Sequence, residues 1–182
     1  MDLRTTETIL DDDEKDDQTR RVKVRIFSNQ YSHGTLKARK DCLFLYGDNE
    51  DHAGRNGQAI IRDEPNTAGI VTKRRPYMNE DSFYDDNDYE SNIASIDNSF
   101  DDAVKRINQN SSYKFVMIPV AGLGTGLAQL PSRSPKTFLY ILQKLYDLTF
   151  LLDPDSLNDS VGEWIQKQTQ IVKNVPKKRI TV

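Results

Sequence analysis

Residues 42–46 read CLFLY, an apolar run with no polar interruption. A strand with one solvated face alternates apolar and polar side chains, so an unbroken run suits a strand buried on both faces. Such a strand needs a covering layer on each side, which restricts the chain to a sheet flanked by other elements. The run KFVMIP at 114–119 has the same character, VKVRIF at 22–27 alternates as a half-buried strand does, and AGIVT at 68–72 adds another. Between these runs the period changes to that of a helix. Ile93, Ile96, Phe100, Val104 and Ile107 recur at spacings of three and four, and so do Phe138, Ile141, Leu145, Leu148 and Leu152. Ser134 is placed to cap the second of these helices, with Pro135 at its first position and Pro154 ending it. A last helix is expected from about Ser156 to Lys173, with Leu157, Val161, Trp164, Ile165 and Ile171 available to dock. Strands alternating with helices predict an α/β fold in three layers, a mixed central sheet with helices on both faces.

The 182 residues suit roughly one domain. Residues 1–20, containing DDDEKDD and little to bury, are expected to form a disordered acidic tail; 21–174 form the domain and 175–182 a basic C-terminal tail. A net charge of −3 argues against a dedicated nucleic-acid binder. No apolar run approaches the ~20 residues that span a bilayer, and the charged N-terminus lacks the apolar stretch of a secretory signal, so a cytoplasmic location and no membrane partner are expected. Cys42 is the single cysteine and lies within the apolar run, so the expectation is a buried, inert thiol. With only His33 and His52 beside it, no metal site is expected. Redox chemistry lacks a second cysteine and a Rossmann fingerprint, and a serine triad lacks an elbow motif and has only two histidines to draw on. The acidic stretch 79–90 reads as a solvated, mobile loop, and Phe83, Tyr84 and Tyr89 within it are candidates to close over an adenine.

Two glycine-rich loops follow apolar runs. Gly47, Asp48 and Asn49 come directly after CLFLY, and Gly57, Gln58 and Ala59 follow a few residues on, where a short helix is expected to begin. After KFVMIP come Gly122, Leu123, Gly124, Thr125, Gly126 and Leu127. Ligands of α/β sheets bind outside the carboxyl ends of strands, and bare backbone there lets successive N–H groups converge on an anion. The Thr125 hydroxyl is a further donor, and Asp48 and Asn49 are placed to read a ribose. Neither the P-loop nor the G-x-G-x-x-G spacing is present. An ordinary tight turn remains the plain alternative for each loop.

Taken together, N-G-Q-A at 56–59, I-V-T-K at 70–73 with Pro76 beyond, and I-P-V-A-G-L-G-T-G-L at 118–127 resemble the macrodomain family. The likeness is to its branch of ADP-ribose binders and hydrolases. A group of bacterial and phage proteins with G-D-N, G-Q-A, E-P-N, T-K-R and G-L-G-T-G-L is more similar still. The resemblance covers about residues 42–148. It implies a nucleotide cleft at the strand ends, the 57–59 loop against the distal ribose and the 122–127 loop around a diphosphate. It also implies that Lys73 is the catalytic lysine, which attacks the distal ribose. The aspartate that assists release in that branch is replaced by Ala128, and its adenine-contacting acid has no counterpart in VKVRIFSN.

As a nucleophile Lys73 needs a depressed pKa, which burial and a neighbouring cation supply; Arg75, on the same side of an extended chain, is the expected neighbour. A phosphate contact is the alternative role for Lys73. Glu64 and Asp48 are candidates to replace the missing aspartate. The expectation is therefore a protein that binds ADP-ribose or an NAD-derived relative, free or attached to protein or nucleic acid, without a cofactor. Hydrolysis through Lys73, a non-catalytic reader or sequestering module, and a scaffold without ligand all stay open, as does the oligomeric state.

Overall fold

The computed structural model describes residues 21–175, so the expectations for 1–20 and 176–182 lie outside the described residues. The apolar runs become β1 (Lys23–Phe27), β2 (Cys42–Asn49), β3 (Thr67–Lys73) and β4 (Phe115–Pro119). They form one sheet in the order β1-β4-β2-β3. Every pairing in it is parallel. The expected mixed sheet is thus, among the described residues, a parallel one. Its cause lies in the connections: each carries the chain back across the sheet before the next strand begins, and none is a hairpin.

Alternate side chains of the central strands enter two cores. Leu43, Leu45, Val116 and Ile118 join the larger one, closed by α2 (Tyr89–Gln109), α4 (Pro135–Leu152) and α5 (Ser160–Lys173). Cys42, Phe44, Tyr46 and Met117 join the smaller one, covered by α1 (His33–Ala38) and a 3-10 turn, Gly57–Ile61. The three-layer α/β fold follows, with one thick helical layer and one thin. Phe44 and Cys42 are fully buried, and burial pushes the Cys42 thiol up to about 11, as an inert thiol requires. Among the described residues no helix is long and apolar enough to cross a membrane.

Three local outcomes differ from the sequence expectation. Helix α1 lies between the first two strands, where the apolar pattern predicts no helix; Ser32 caps it by accepting from Thr35 N at 3.2 Å. Helix α5 begins at Ser160, behind a 3-10 turn at Pro154–Asn158. The segment 79–90 is anchored rather than solvated: Phe83 and Tyr84 are buried, and Asp86 sits at the start of α4. There its carboxylate accepts from Lys136 N at 2.9 Å, Thr137 N at 3.1 Å and the Ser134 hydroxyl at 2.6 Å. Ser134 therefore does not cap α4 itself. A carboxylate is the stronger acceptor and also complements the positive helix end.

Candidate functional site

A parallel sheet brings all its carboxyl ends to one edge. From β2 the chain turns into the thin layer, where Ala59 and Ile61 are buried; from β4 it turns to the opposite face and α4. Between the two exits a cleft of about 460 Å³ opens, where α/β sheets place ligands. The sequence-predicted Gly47, Asp48, Asn49, Gly57, Gln58 and Ala59 line one side. Gly124, Thr125, Gly126 and Leu127 line the other, and Lys73 joins from the end of β3. Gly122 and Leu123 are not part of the lining. Leu123 points into the core, and a Cβ on Gly122 would run into the Gln168 side chain.

The β4 loop is shaped by its glycines. Gly124 has φ +83°, and a Cβ there would lie 2.9 Å from Leu130 Cδ2 and 3.1 Å from Thr72 Cβ. Leu130 N donates to Gly124 O at 2.8 Å and Gln129 N to Gly126 O at 3.0 Å, which turns the carbonyls back into the protein. The N–H groups of Gly124, Thr125, Gly126, Leu127 and Ala128 have no acceptor among the described residues. A run of unpaired donors at one concavity is the material from which an anion-binding nest is built. The Thr125 hydroxyl is not one of its donors, because it donates to Ala121 O and braces the loop.

The polar side chains of the β2 loop are spent on one another. Gln58 accepts from Gly47 N at 2.8 Å and donates to Gly122 O at 2.8 Å, so one amide ties the two loops together. Asp48, with a side chain 3% exposed, pairs with Arg62 Nη1 at 2.6 Å and lies 2.8 Å from His52 Nδ1. Gly69 makes room for it, since a Cβ there would come within 2.6 Å of its Oδ2. Arg62 continues from Asp48 to the backbone of the loop, donating to Gly54 O at 2.9 Å and Ala53 O at 3.1 Å. Asn49 Nδ2 donates to Ala53 O at 2.8 Å. Asp48 and Asn49 thus hold the loop's shape and also line the cleft, where the ribose contact is expected.

Lys73 is 6% exposed, and among the described residues it has no ion pair. Its Nζ lies 3.5 Å from Met78 Sδ and 4.3 Å from the centre of the Phe83 ring. Burial, and then the Arg133 charge, hold the amine below its ordinary value. Arg133 approaches the same ring at 3.8 Å and is bound by Glu80 at 2.7 Å. The expected neighbour Arg75 is exposed to solvent, and Arg74 pairs with Asp88. The cation that acts on Lys73 comes from α3 (Leu130–Arg133), a tertiary approach that spacing along β3 does not reveal.

Neither candidate for the missing aspartate is placed to act with that amine. Glu64 lies outside the lining, 2.7 Å from His33 Nδ1, and Asp48 is neutralised by Arg62. Ala128 lines the cleft where the resemblance expects the carboxylate. Phe83 and Tyr84 do not close over the site either; both are buried, and the Tyr84 hydroxyl donates to Glu50 at 2.8 Å. Sequence reasoning missed Met78 in the lining, and Arg62 and Arg133, which stand behind it on Asp48 and beside Lys73. None carries a local signal, and only the fold brings them to the loop and the lysine.

Compared with known proteins, residues 26–144 match the model of a family described as a family of unknown function (DUF7831). The chain belongs to this family. The match runs from β1 into α4, so the DUF7831 region holds both glycine loops, Lys73 and the Asp48–Arg62 pair. No curated protein and no solved structure matches the chain.

Proposed function

We propose that the cleft binds ADP-ribose or an NAD-derived nucleotide of that kind, and that the protein is a macrodomain-like reader of this ligand, free or attached to protein or nucleic acid, in the cytoplasm. One observation carries the proposal: the unpaired N–H groups of Gly124–Ala128 share a cleft with a cation, Lys73, that has no acidic partner among the described residues. Such an arrangement suits a phosphate, with the nest taking its oxygens and the ammonium its charge. The cleft volume falls within the range of small-molecule sites.

Hydrolysis is the second reading, favoured by the lowered pKa of Lys73. Binding without turnover is preferred because Asp48, the carboxylate that lines the cleft, is already paired with Arg62. Calorimetric titration with ADP-ribose, beside AMP and NAD, tests the proposal. Saturable ADP-ribose binding well above AMP is expected, weakened roughly tenfold in Lys73→Met, the loss of one charge-assisted contact. No heat at millimolar ADP-ribose would reject it. Turnover of an ADP-ribosylated protein by the wild-type chain, abolished in Lys73→Ala, would replace the reader by the hydrolase.

A further inference from the structure

Helix α4 carries more apolar surface than the core uses. Phe138, Ile141, Leu145 and Leu148 fill the interior, while Leu139, Tyr146, Phe150 and Leu151 remain 39, 43, 64 and 66% exposed. Leu139, Tyr146 and Phe150 follow one another at seven and four residues, so they form a single line along the outer side of the helix, with Gln143 between the first two. Beside the line Asp147 is exposed and accepts from Gln143 Nε2 at 2.8 Å. Either direction of pairing sets this central charge near its own copy, so the charges at the two ends carry the direction. Lys136 stands at its N-terminal end and Asp155 beyond its C-terminal end, and neither has an ion pair among the described residues.

We propose that this face is a dimer interface, at which α4 packs antiparallel on α4 of a second copy of the chain. A two-fold axis crossing the helix between Gln143 and Tyr146 sets Leu139 against Phe150 of the second copy, and Gln143 against its Tyr146. Lys136 then reaches the segment Asp153–Asp155 at the opposite end. Leu139 and Phe150 are about 16 Å apart along the helix, so the two apolar contacts lie symmetrically about the axis. Charge selects the antiparallel arrangement. A parallel pairing would set each Lys136 against its own copy and leave Asp155 beside Asp155, whereas the antiparallel one brings opposite charges together twice. The face is self-complementary, as an isologous contact between identical chains must be.

Sedimentation velocity on the full chain, across a micromolar range, reads the mass directly. The expected result is a species of twice the 20.9 kDa chain that Phe150→Asp converts to monomer, with an unchanged circular dichroism spectrum. Register is tested by cysteine cross-linking, which the fully buried native Cys42 does not obscure. A mixture of Leu139→Cys and Phe150→Cys chains is expected to form a disulfide-linked heterodimer, and each variant alone to form several-fold less. The cross-link decides the matter if Phe150→Asp fails to fold. A wild-type chain that stays monomeric throughout, a dimer indifferent to Phe150→Asp, or equal cross-linking in the single variants would each overturn the proposal.

Discussion

The loop after β2 and the loop after β4 face each other across one cleft, yet they handle their polar groups in opposite ways. The β2 loop is rich in polar side chains, and its Asp48, Asn49 and Gln58 are all engaged within the protein. The β4 loop has almost none, and its backbone donors from Gly124 to Ala128 have no acceptor among the described residues. A polar residue lining a cleft is therefore not the same as a polar group available to a ligand. The first loop ties the cleft together; the second leaves backbone donors free on its wall.

The sharpest way to break the rigid side is Asp48→Asn, which leaves the Arg62 charge buried against a neutral amide. A loss of about 3 kcal/mol is expected in urea denaturation. An unchanged midpoint would show that the pair does not hold the loop. On the other side, Gly124→Ala meets both a left-handed backbone and the Leu130 side chain, for a loss of about 2 kcal/mol and at least a tenfold fall in ADP-ribose affinity. Gly126→Ala is its control. A Cβ there meets nothing within 4 Å, so stability should stay within about 0.5 kcal/mol.

Gln58→Ala acts on both loops at once. Gly47 N and Gly122 O lose their partner, and about 1 kcal/mol of stability should go with it. The smallest effect concerns pH. The amine of Lys73 titrates below 10.5, so anion affinity should hold on the acid side of its folded pKa and fall as pH rises through it. Lys73→Arg should flatten that fall in a calorimetric pH series. For the free protein the sign is the reverse: the depressed pKa contributes stability above 10.5 that is lost as pH falls through the folded value.

Much of the fold was legible because apolar runs such as CLFLY admit few alternatives. Helix α1 was not, since HGTLKA contains a glycine and buries only Leu36, too little for a periodic signal. The cleft positions were visible through glycines, which mark places where a side chain does not fit. What glycines do not show is which donors remain unpaired, and so nothing in the spacing reveals that Gln58 and Asp48, which line the cleft, also serve as internal braces. Arg62 and Arg133 act through space on Asp48 and Lys73, and no spacing along the chain encodes that.

The anchoring of residues 79–90 bears on how the protein meets a protease. By composition NEDSFYDDNDYE is the sort of acidic, irregular stretch at which chains are nicked. Cleavage requires the backbone to extend into the enzyme for several residues around the cut. Here Phe83 and Tyr84 are in the interior, Asp86 is held at the start of α4, and Glu80 and Asp88 are bound by Arg133 and Arg74. Chymotryptic cutting after Phe83 or Tyr84 should therefore keep pace with unfolding of the whole domain, and slow when a nucleotide occupies the cleft.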